Sequence, residues 1–445
     1  MLSFHAKRRF LRRRRFPTSE VALKVEFFEE TSVRKALSFE IEAEAVEQEI
    51  EARARAYARR VKLPGFRPGK IPPAVIKQRL RGEVLSDVAE SIVNKVVFEE
   101  LTGRGLRPLA PPKVQDLKID ENRPMTFRAV FETLPIVELP EYKGLPATRR
   151  RAEVTEEQVN AELDRLREEN ARFDPVEGRP TRRGDFVVAD MAWRPHGGKG
   201  GRDENALTEV GASDNHEDLN KTLEGIWAGT TREVEITYPQ DFGAKSVAGE
   251  TVRYVIHVKA IKEKVVPAAD DEFAKDLAFD SLEALRADIA ARLRAADERR
   301  VDRELKSGLI AELVKRSSFE VPEVLVERQM SARTEQAARG LALQGIDPAQ
   351  VRVNWRDYRE TQREESVAAA KAGILLDEIA RREGIEAEDT EVDAELERIA
   401  QRMKQPREKV RVMMEKENEL GGLRLRIREE KTLDLLKANA RLDLA

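Results

Sequence analysis

The 445-residue chain has no cysteine, so disulfides, thiolate nucleophiles and cysteine-based metal sites are excluded at once. That suits a reducing compartment. Aromatic residues make up only 5% of the sequence. Its cores must therefore rest on Leu, Ile, Val and Ala, which favours helical packing over a large β-sandwich. Neither charge dominates: 80 Lys and Arg face 83 Asp and Glu, a net charge of -3. That balance gives no global pull toward nucleic acid or an acidic surface. No apolar run approaches the roughly 20 residues that span a bilayer, so no membrane partner is expected. Histidine is scarce and scattered at His5, His196, His216 and His257, and no carboxylate cluster completes a ligand set. The sequence calls for no metal and no cofactor.

What is present is charge in quantity, 37% of all residues, on a chain long enough for about three domains. Lys7, Arg8, Arg9 and Arg12, Arg13, Arg14, Arg15 form a dense basic cluster. No apolar segment follows it, so it does not read as a secretory signal. Three readings stay open: a disordered basic tail over residues 1–20, a stretch upstream of the start codon in use, or an electrostatic arm for ribosomal RNA.

Residues 21–30 read as a strand, and Leu37, Phe39 and Ile41 alternate with polar residues in a second. A helix follows with Val46, Ile50, Ala54, Tyr57 and Val61 on one face, ending at Leu63-Pro64-Gly65. Further helical stretches follow Pro72-Pro73 and carry Val84, Val88, Ile92 and Val96. Met125, Phe127, Ala129 and Phe131 then alternate as a half-buried strand. Residues 21–135 thus read as one α+β domain. Residues 136–180 read as a linker with one helix, opened by the capping box Thr155 to Gln158. Residues 181–264 are β-rich, with strand-like runs at 187–189, 233–238 and 252–261 around the glycine-rich stretch 196–201. Residues 265–445 are helical. Their stripes include Leu282, Leu285, Ile289 and Leu293, then Leu305, Leu309 and Leu313, with Pro322 at a helix start. Gly384 and Gly421-Gly422 read as breaks. Trp193, Trp227 and Trp355 are expected in cores or pockets. The fold class is α+β and multidomain, with an all-α C-terminal region of extended arms.

The most specific string is Gly65-Phe66-Arg67-Pro68-Gly69-Lys70-Ile71-Pro72. Two glycines and two prolines fix a tight loop that presents Phe66, Arg67 and Lys70. An aromatic flanked by cations suits docking on a surface of protein and phosphate. A nucleotide-binding loop is excluded, because the spacing is wrong and Ile71 replaces the required Ser or Thr. An ordinary helix connection remains the competing reading.

That string, set between two helices, resembles the ribosome-docking signature of the trigger factor family. The resemblance extends to segment order and covers nearly the whole chain from about residue 20. It implies docking on the large ribosomal subunit near the tunnel exit through Gly65, Phe66, Arg67, Gly69, Lys70 and Pro72. It also implies an ATP-independent cytoplasmic chaperone for nascent and unfolded polypeptides, assisting folding and export, with homodimerisation off the ribosome left open. Residues 181–264 resemble the FKBP-type peptidyl-prolyl isomerase domain, through 237–242, Ala248-Gly249-Glu250 and Tyr254-Val255-Ile256. The likeness places Phe242 and Tyr254 as pocket aromatics in the catalytic role. Such a pocket favours the twisted amide, whose rotation otherwise costs about 18–20 kcal/mol. Asn215-His216-Glu217-Asp218-Leu219 stands where the family has an apolar pocket floor. A charged floor solvates the planar amide, so weak or no isomerase activity is expected. Leftover apolar patches on the C-terminal helices are expected to cradle clients, with Met403, Met413 and Met414 as adaptable contacts. The rival readings are a prolyl isomerase with accessory arms and an RNA-binding protein that uses the basic arm.

Overall fold

The structure is a computed structural model that describes residues 10–16, 19–64, 66, 71–195, 200–240, 249–349, 351, 353–417 and 419–444, with side chains from residue 23. The chain divides into two compact units, one made of Met1–Arg149 with Glu304–Ala445 and the other of Arg150–Arg303.

The first unit opens with β1 (Phe10–Phe16), β2 (Ser19–Glu29) and β3 (Arg34–Ile41). α1 (Ala43–Arg60), α2 (Pro73–Arg79) and α3 (Arg81–Gly103) follow, then β4 (Lys113–Lys118), β5 (Met125–Glu132) and the short β6 (Pro146–Arg149). Five strands form one antiparallel sheet in the order β1-β2-β3-β5-β4. The period-two pattern sets its inner face: Leu37, Phe39 and Ile41 of β3 and Met125, Phe127 and Ala129 of β5 are buried. Phe39 and Phe127 are register partners and their rings stack at 4.7 Å. Val46, Ile50, Ala54 and Ala58 of α1 and Val84, Val88 and Val96 of α3 cover that face. Phe10–Phe16, expected within a disordered tail, instead pair along β2 as an edge strand.

The second unit holds α4 (Glu156–Glu169), β7 (Arg172–Pro175), β8 (Asp185–Pro195), β9 (Gly201–Glu209), α5 (Glu217–Leu223), β10 (Thr231–Thr237) and β11 (Thr251–Val265). α6 (Asp271–Asp276) and most of α7 (Leu282–Lys315) complete it. Its sheet runs β10-β11-β8-β9, and β7 pairs with the far end of β11. One face is packed by Leu223 and Ile226, at and just after the end of α5, against Val187, Ala189, Ile256, Val258 and Ile261. Both halves of the expected capping box are made: Thr155 accepts from the Gln158 amide, and the Gln158 side chain accepts from the Thr155 amide. Val159 and Leu163 of α4 pack on Phe273, Leu285 and Ile289. The helix expected in a linker is therefore part of a core, and the sheet begins at β7, ahead of residue 181.

The chain then returns to the first unit through α8 (Glu323–Leu343), α9 (Trp355–Thr361), α10 (Arg363–Glu383), α11 (Asp389–Met403), α12 (Arg407–Lys416), α13 (Leu420–Ala438) and β12 (Arg441–Leu444). Leu305, Leu309 and Leu313 of α7, Leu375 and Ile379 of α10 and Leu436 of α13 share a core with Tyr142 and Leu145. β12 pairs parallel with β6, so residues 137–149, expected in the linker, are built into the helical core. Gly384 caps α10 in the left-handed conformation at φ 66°, as a break should. Gly421 and Gly422 instead lie in the first turn of α13, and the interruption falls just before them. Pro322 is the N-cap of α8 and not its first residue. Met414 is buried at 4% exposure among Val410, Leu396 and Leu423, so it serves packing and not client contact. Trp227 is exposed at 52%, outside any core.

Leu309→Ala empties a fully buried position on α7 and should cost about 2–5 kcal/mol. Hydrogen exchange during urea titration should show protection falling across α7, α10 and α13, with the β7–β11 sheet unchanged.

Candidate functional site

Three places in the structure are candidates for function. The first is the connection from α1 to α2. α1 stops where Val61 turns extended and donates to the Tyr57 carbonyl at 2.9 Å. The chain then runs to Pro72, the N-cap of α2, with Pro73 at N1. Leu63 packs against the domain core and Ile71 is buried in it, so both ends of the loop are anchored. The two helices are held together by Lys77 of α2, which donates to Glu47 at 2.5 Å and pairs with Glu51 at 3.0 Å, both on α1. Tyr57 of α1 donates to Asp87 of α3 at 2.8 Å. Between the anchors, the Phe66 amide donates to the Leu63 carbonyl at 3.2 Å, and its ring is 37% exposed. Gly65, Arg67, Gly69 and Lys70 lie outside the described residues. Sequence reasoning passed over Arg59, Arg60 and Lys62, which are exposed at the foot of the same loop. Their spacing just ahead of the glycine-proline string was the available signal. A structural role also fits Arg59 and Arg60, because cations favour a helix C-terminus.

The second is a groove of about 400 Å³ in the first unit, lined by the 134–137 segment, α8, α10 and α13. Leu134 and Leu425 stand on its rim, half exposed. Ile374 and Leu376 line it, and Asp377 with Arg428 pairs at 2.9 Å along one side. Gly373 leaves a gap on α10, because a Cβ there would meet nothing within 4 Å. Burial, and then the Asp377 carboxylate, push the Glu429 carboxyl above its usual range. The sequence did not mark these residues as a site; Gly373 inside a helical pattern was the one local hint.

The third is the end of the β8–β11 sheet in the second unit. Tyr254 sits on the inner face of β11 beside Ile256 and packs on the core that holds Leu223 and Ile226. Its hydroxyl is 2.8 Å from that of Tyr238, and His216 packs edge-on against the Tyr238 ring at 5.7 Å. Burial, then the bond with Tyr238, push the Tyr254 phenol above its usual range. Phe242 lies outside the described residues, as do residues 196–199 of the glycine-rich stretch 196–201. The charged floor expected from residues 215–219 does not form. His216 is the N-cap of α5 and accepts from the Asp218 amide through Nδ1 at 3.3 Å. Asn215 donates to the Glu209 carbonyl at 2.7 Å and to Asn220 at 3.0 Å. Glu217 and Asp218 occupy the first turn with side chains 79% and 49% exposed, where the helix dipole favours anions. The residue of this run that packs on the core is Leu219. On the opposite face, Asp190 accepts from Lys259 at 2.6 Å, from the Asn205 amide at 3.0 Å and from Arg202 at 3.0 Å. In order of weight, these hold its carboxyl well below the usual range.

Among the described residues no group of His, Cys, Asp and Glu could hold a metal ion, and no helix is long and apolar enough to cross a membrane.

Two family models match: bacterial trigger factor protein at residues 23–166, and the bacterial trigger factor C-terminus at residues 281–438. The chain is 33% identical over 410 residues to trigger factor of Solibacter usitatus, covering 92% of this chain and 97% of that one. It is 34% identical over 408 residues to trigger factor of Halothermothrix orenii, covering 90% and 95%. A solved structure described for promiscuous substrate recognition by the trigger factor chaperone is 22% identical, with a TM-score of 0.48, covering 92% of this chain and 97% of its own.

The Asp190 cluster sets a pH dependence with a definite sign. A carboxyl whose pKa falls on folding adds stability that is complete above its unfolded value, 3.8, and is lost as pH drops through the folded value. Stability of wild type minus Asp190→Asn should therefore be constant at neutral pH and shrink below about pH 4. A difference that grows on acidification would contradict the assignment.

Proposed function

This chain belongs to the bacterial trigger factor family of chaperones, and on that premise we propose that it is an ATP-independent cytoplasmic holder of nascent polypeptides docked at the ribosomal tunnel exit. The observation that carries the docking is Phe66. An aromatic ring left in water is unfavourable for the fold itself, by about 25 cal/mol per Å² of apolar surface. Leu63 and Ile71 pack on the domain core on either side of Phe66, and Lys77 between Glu47 and Glu51 holds the two flanking helices together, so the ring is offered from an anchored base. A pre-set anchor loses little conformational entropy on binding, which suits an interface centred on one aromatic. Arg59, Arg60 and Lys62 extend the cationic surface expected of Arg67 and Lys70 toward ribosomal phosphates.

Client holding fits the groove between α10 and α13. Its volume is at the small end for a ligand site, room for one or two side chains of an extended chain. Weak, unselective capture needs such shallow apolar footholds within a charged surface. A second reading, prolyl isomerisation by the second unit, is favoured by the floor of α5. Glu217 and Asp218 turn to solvent and Leu219 turns inward, so this run brings no carboxylate onto the core that Tyr254 packs on, which supports that reading.

Two tests separate these parts. Phe66→Ala with Arg67→Ala and Lys70→Ala should abolish ribosome co-sedimentation while leaving the circular dichroism spectrum intact; undiminished sedimentation removes the docking assignment. Gly373→Leu should fill the groove and strengthen α10 locally, since Gly is about 1 kcal/mol poorer than Ala in a helix. Suppression of aggregation of an unfolded client should fall several-fold although the protein unfolds no earlier. Equal suppression by the variant would place client contact elsewhere.

A further inference from the structure

The second unit carries a feature that its reading as an isomerase does not by itself assign. Two phenols, Tyr238 just after β10 and Tyr254 on β11, meet at 2.8 Å between their hydroxyl oxygens. Both residues are half-buried. Tyr254 is fixed from three sides. Its register partners are Val234 on β10 and Trp193 on β8, and Ile256 follows it on the same inner face. Tyr238 is fixed by the edge-on imidazole of His216 and by its amide, which donates to the Glu250 carbonyl at 3.1 Å. The Trp193 indole lies across Gly201 of the neighbouring strand, where an added Cβ would come within 2.3 Å of the ring. Among the described residues, this end of the sheet thus gathers the rings of Trp193, Tyr238 and Tyr254, with the phenol pair and the His216 imidazole as its polar groups.

A half-buried hydroxyl in an aromatic setting costs free energy unless it is hydrogen-bonded, and the contact with Tyr238 uses only part of the hydrogen-bonding capacity of Tyr254. A phenylalanine at residue 254 would fill the same space at no such cost, and Phe242, the other aromatic expected in the pocket, has no hydroxyl to offer. When Tyr238 donates to Tyr254, the Tyr254 oxygen is polarised and its own proton is left to point at a third group. Resting on the reading of this unit as a prolyl-peptide site, we infer that the Tyr254 hydroxyl, oriented by Tyr238, is the hydrogen-bond donor that this site offers to the amide preceding proline. An amide presents two acceptors in turn. While planar it offers its carbonyl oxygen; when twisted it localises a lone pair on nitrogen. A donor to the first strengthens binding throughout, and a donor to the second acts only at the barrier. Tyr254 is the residue that touches the peptide, and Tyr238 is a positioning residue.

The test is isomerisation of a proline-containing tetrapeptide by the full chain, wild type against Tyr254→Phe and Tyr238→Phe. Peptide binding is followed in parallel by tryptophan fluorescence, and urea unfolding is measured for each protein. Losing one neutral hydrogen bond should lower kcat/KM of Tyr254→Phe about five- to tenfold with unfolding unchanged. Tyr238→Phe should give a smaller loss in the same parameter. A rise in KM at constant kcat assigns the bond to the carbonyl oxygen, and a fall in kcat assigns it to the nitrogen; either supports the inference. An active wild type with Tyr254→Phe inside twofold overturns the inference and leaves the isomerase reading standing. A wild type at background rate that still binds the peptide, with affinity lost in Tyr254→Phe, removes the isomerase and keeps the donor. A wild type with neither rate nor binding overturns both.

Discussion

The burial of Tyr142 and Leu145 among the C-terminal helices is the constraint on which the first unit depends. Leu145 and Tyr142 sit in one core with Leu305, Leu309, Leu375, Ile379 and Leu436. Strand β6 then pairs in parallel with β12 at the end of the described chain. Around this core the Tyr142 hydroxyl donates to Glu383 at 2.6 Å and Lys143 pairs with the same carboxylate at 2.9 Å, holding it below its usual range. Parallel pairing needs a long connection, and here the connection is the entire second unit with the helices that follow it. Loop closure over such a length costs only slowly increasing entropy, so an insert of this size is tolerable provided the junction is well packed. The glycine-proline loop at residue 66 and the α10–α13 groove both belong to the unit closed in this way.

Local order was legible and closure was not. The alternation of Leu37, Phe39 and Ile41 encodes a half-buried strand by itself, because side-chain direction has a period of two. The four-residue spacing of Val46, Ile50 and Ala54, the capping box at Thr155 and the left-handed Gly384 are equally local. The pairing of Pro146–Arg149 with Arg441–Leu444 joins two short segments with no pattern of their own, so a linker was the natural expectation for residues 136–180. Gly421 and Gly422 misled for a related reason. Glycine marks a helix start or end only through its neighbours, and here both were absorbed into the first turn of α13.

The candidate sites show the same split. That Phe66 lies between two helices and outside any regular element could be read from the prolines and glycines around it in sequence. The pocket floor could not. Read as a string, Asn215 to Asp218 looks like charge placed where apolar residues belong. In three dimensions the string opens a helix: His216 accepts from a backbone amide at its start, Asn215 reaches back to the Glu209 carbonyl, and the two acids face solvent near the helix's positive end. Capping and lining use the same residue types in sequence, and only the direction of the helix tells them apart. Met414 illustrates the reverse case, a flexible apolar side chain that looked available and is taken by its own core.

The three proposed roles make different demands on rigidity, and the residues at each place offer a different device for them. Docking on a fixed partner favours a preset anchor, and the loop at Phe66 is braced at Leu63, at Ile71 and through Lys77. Discrimination between planar and twisted amides needs a dry wall with a single aimed donor, and Tyr254 is held by a sheet on both sides. Holding chains of arbitrary sequence requires the opposite, a surface that is apolar without being shaped to one partner. A helix in a finished core would place a larger residue than glycine at 373. Leaving that space open sacrifices up to about 1 kcal/mol of helix stability and the dispersion contacts of the missing side chain. For the client-holding role proposed for this groove, that openness is an advantage, because every client must be released. The apolar area it offers is too small for tight binding, and the charged residues beside it, Asp377, Arg428 and Glu429, keep the empty groove wetted.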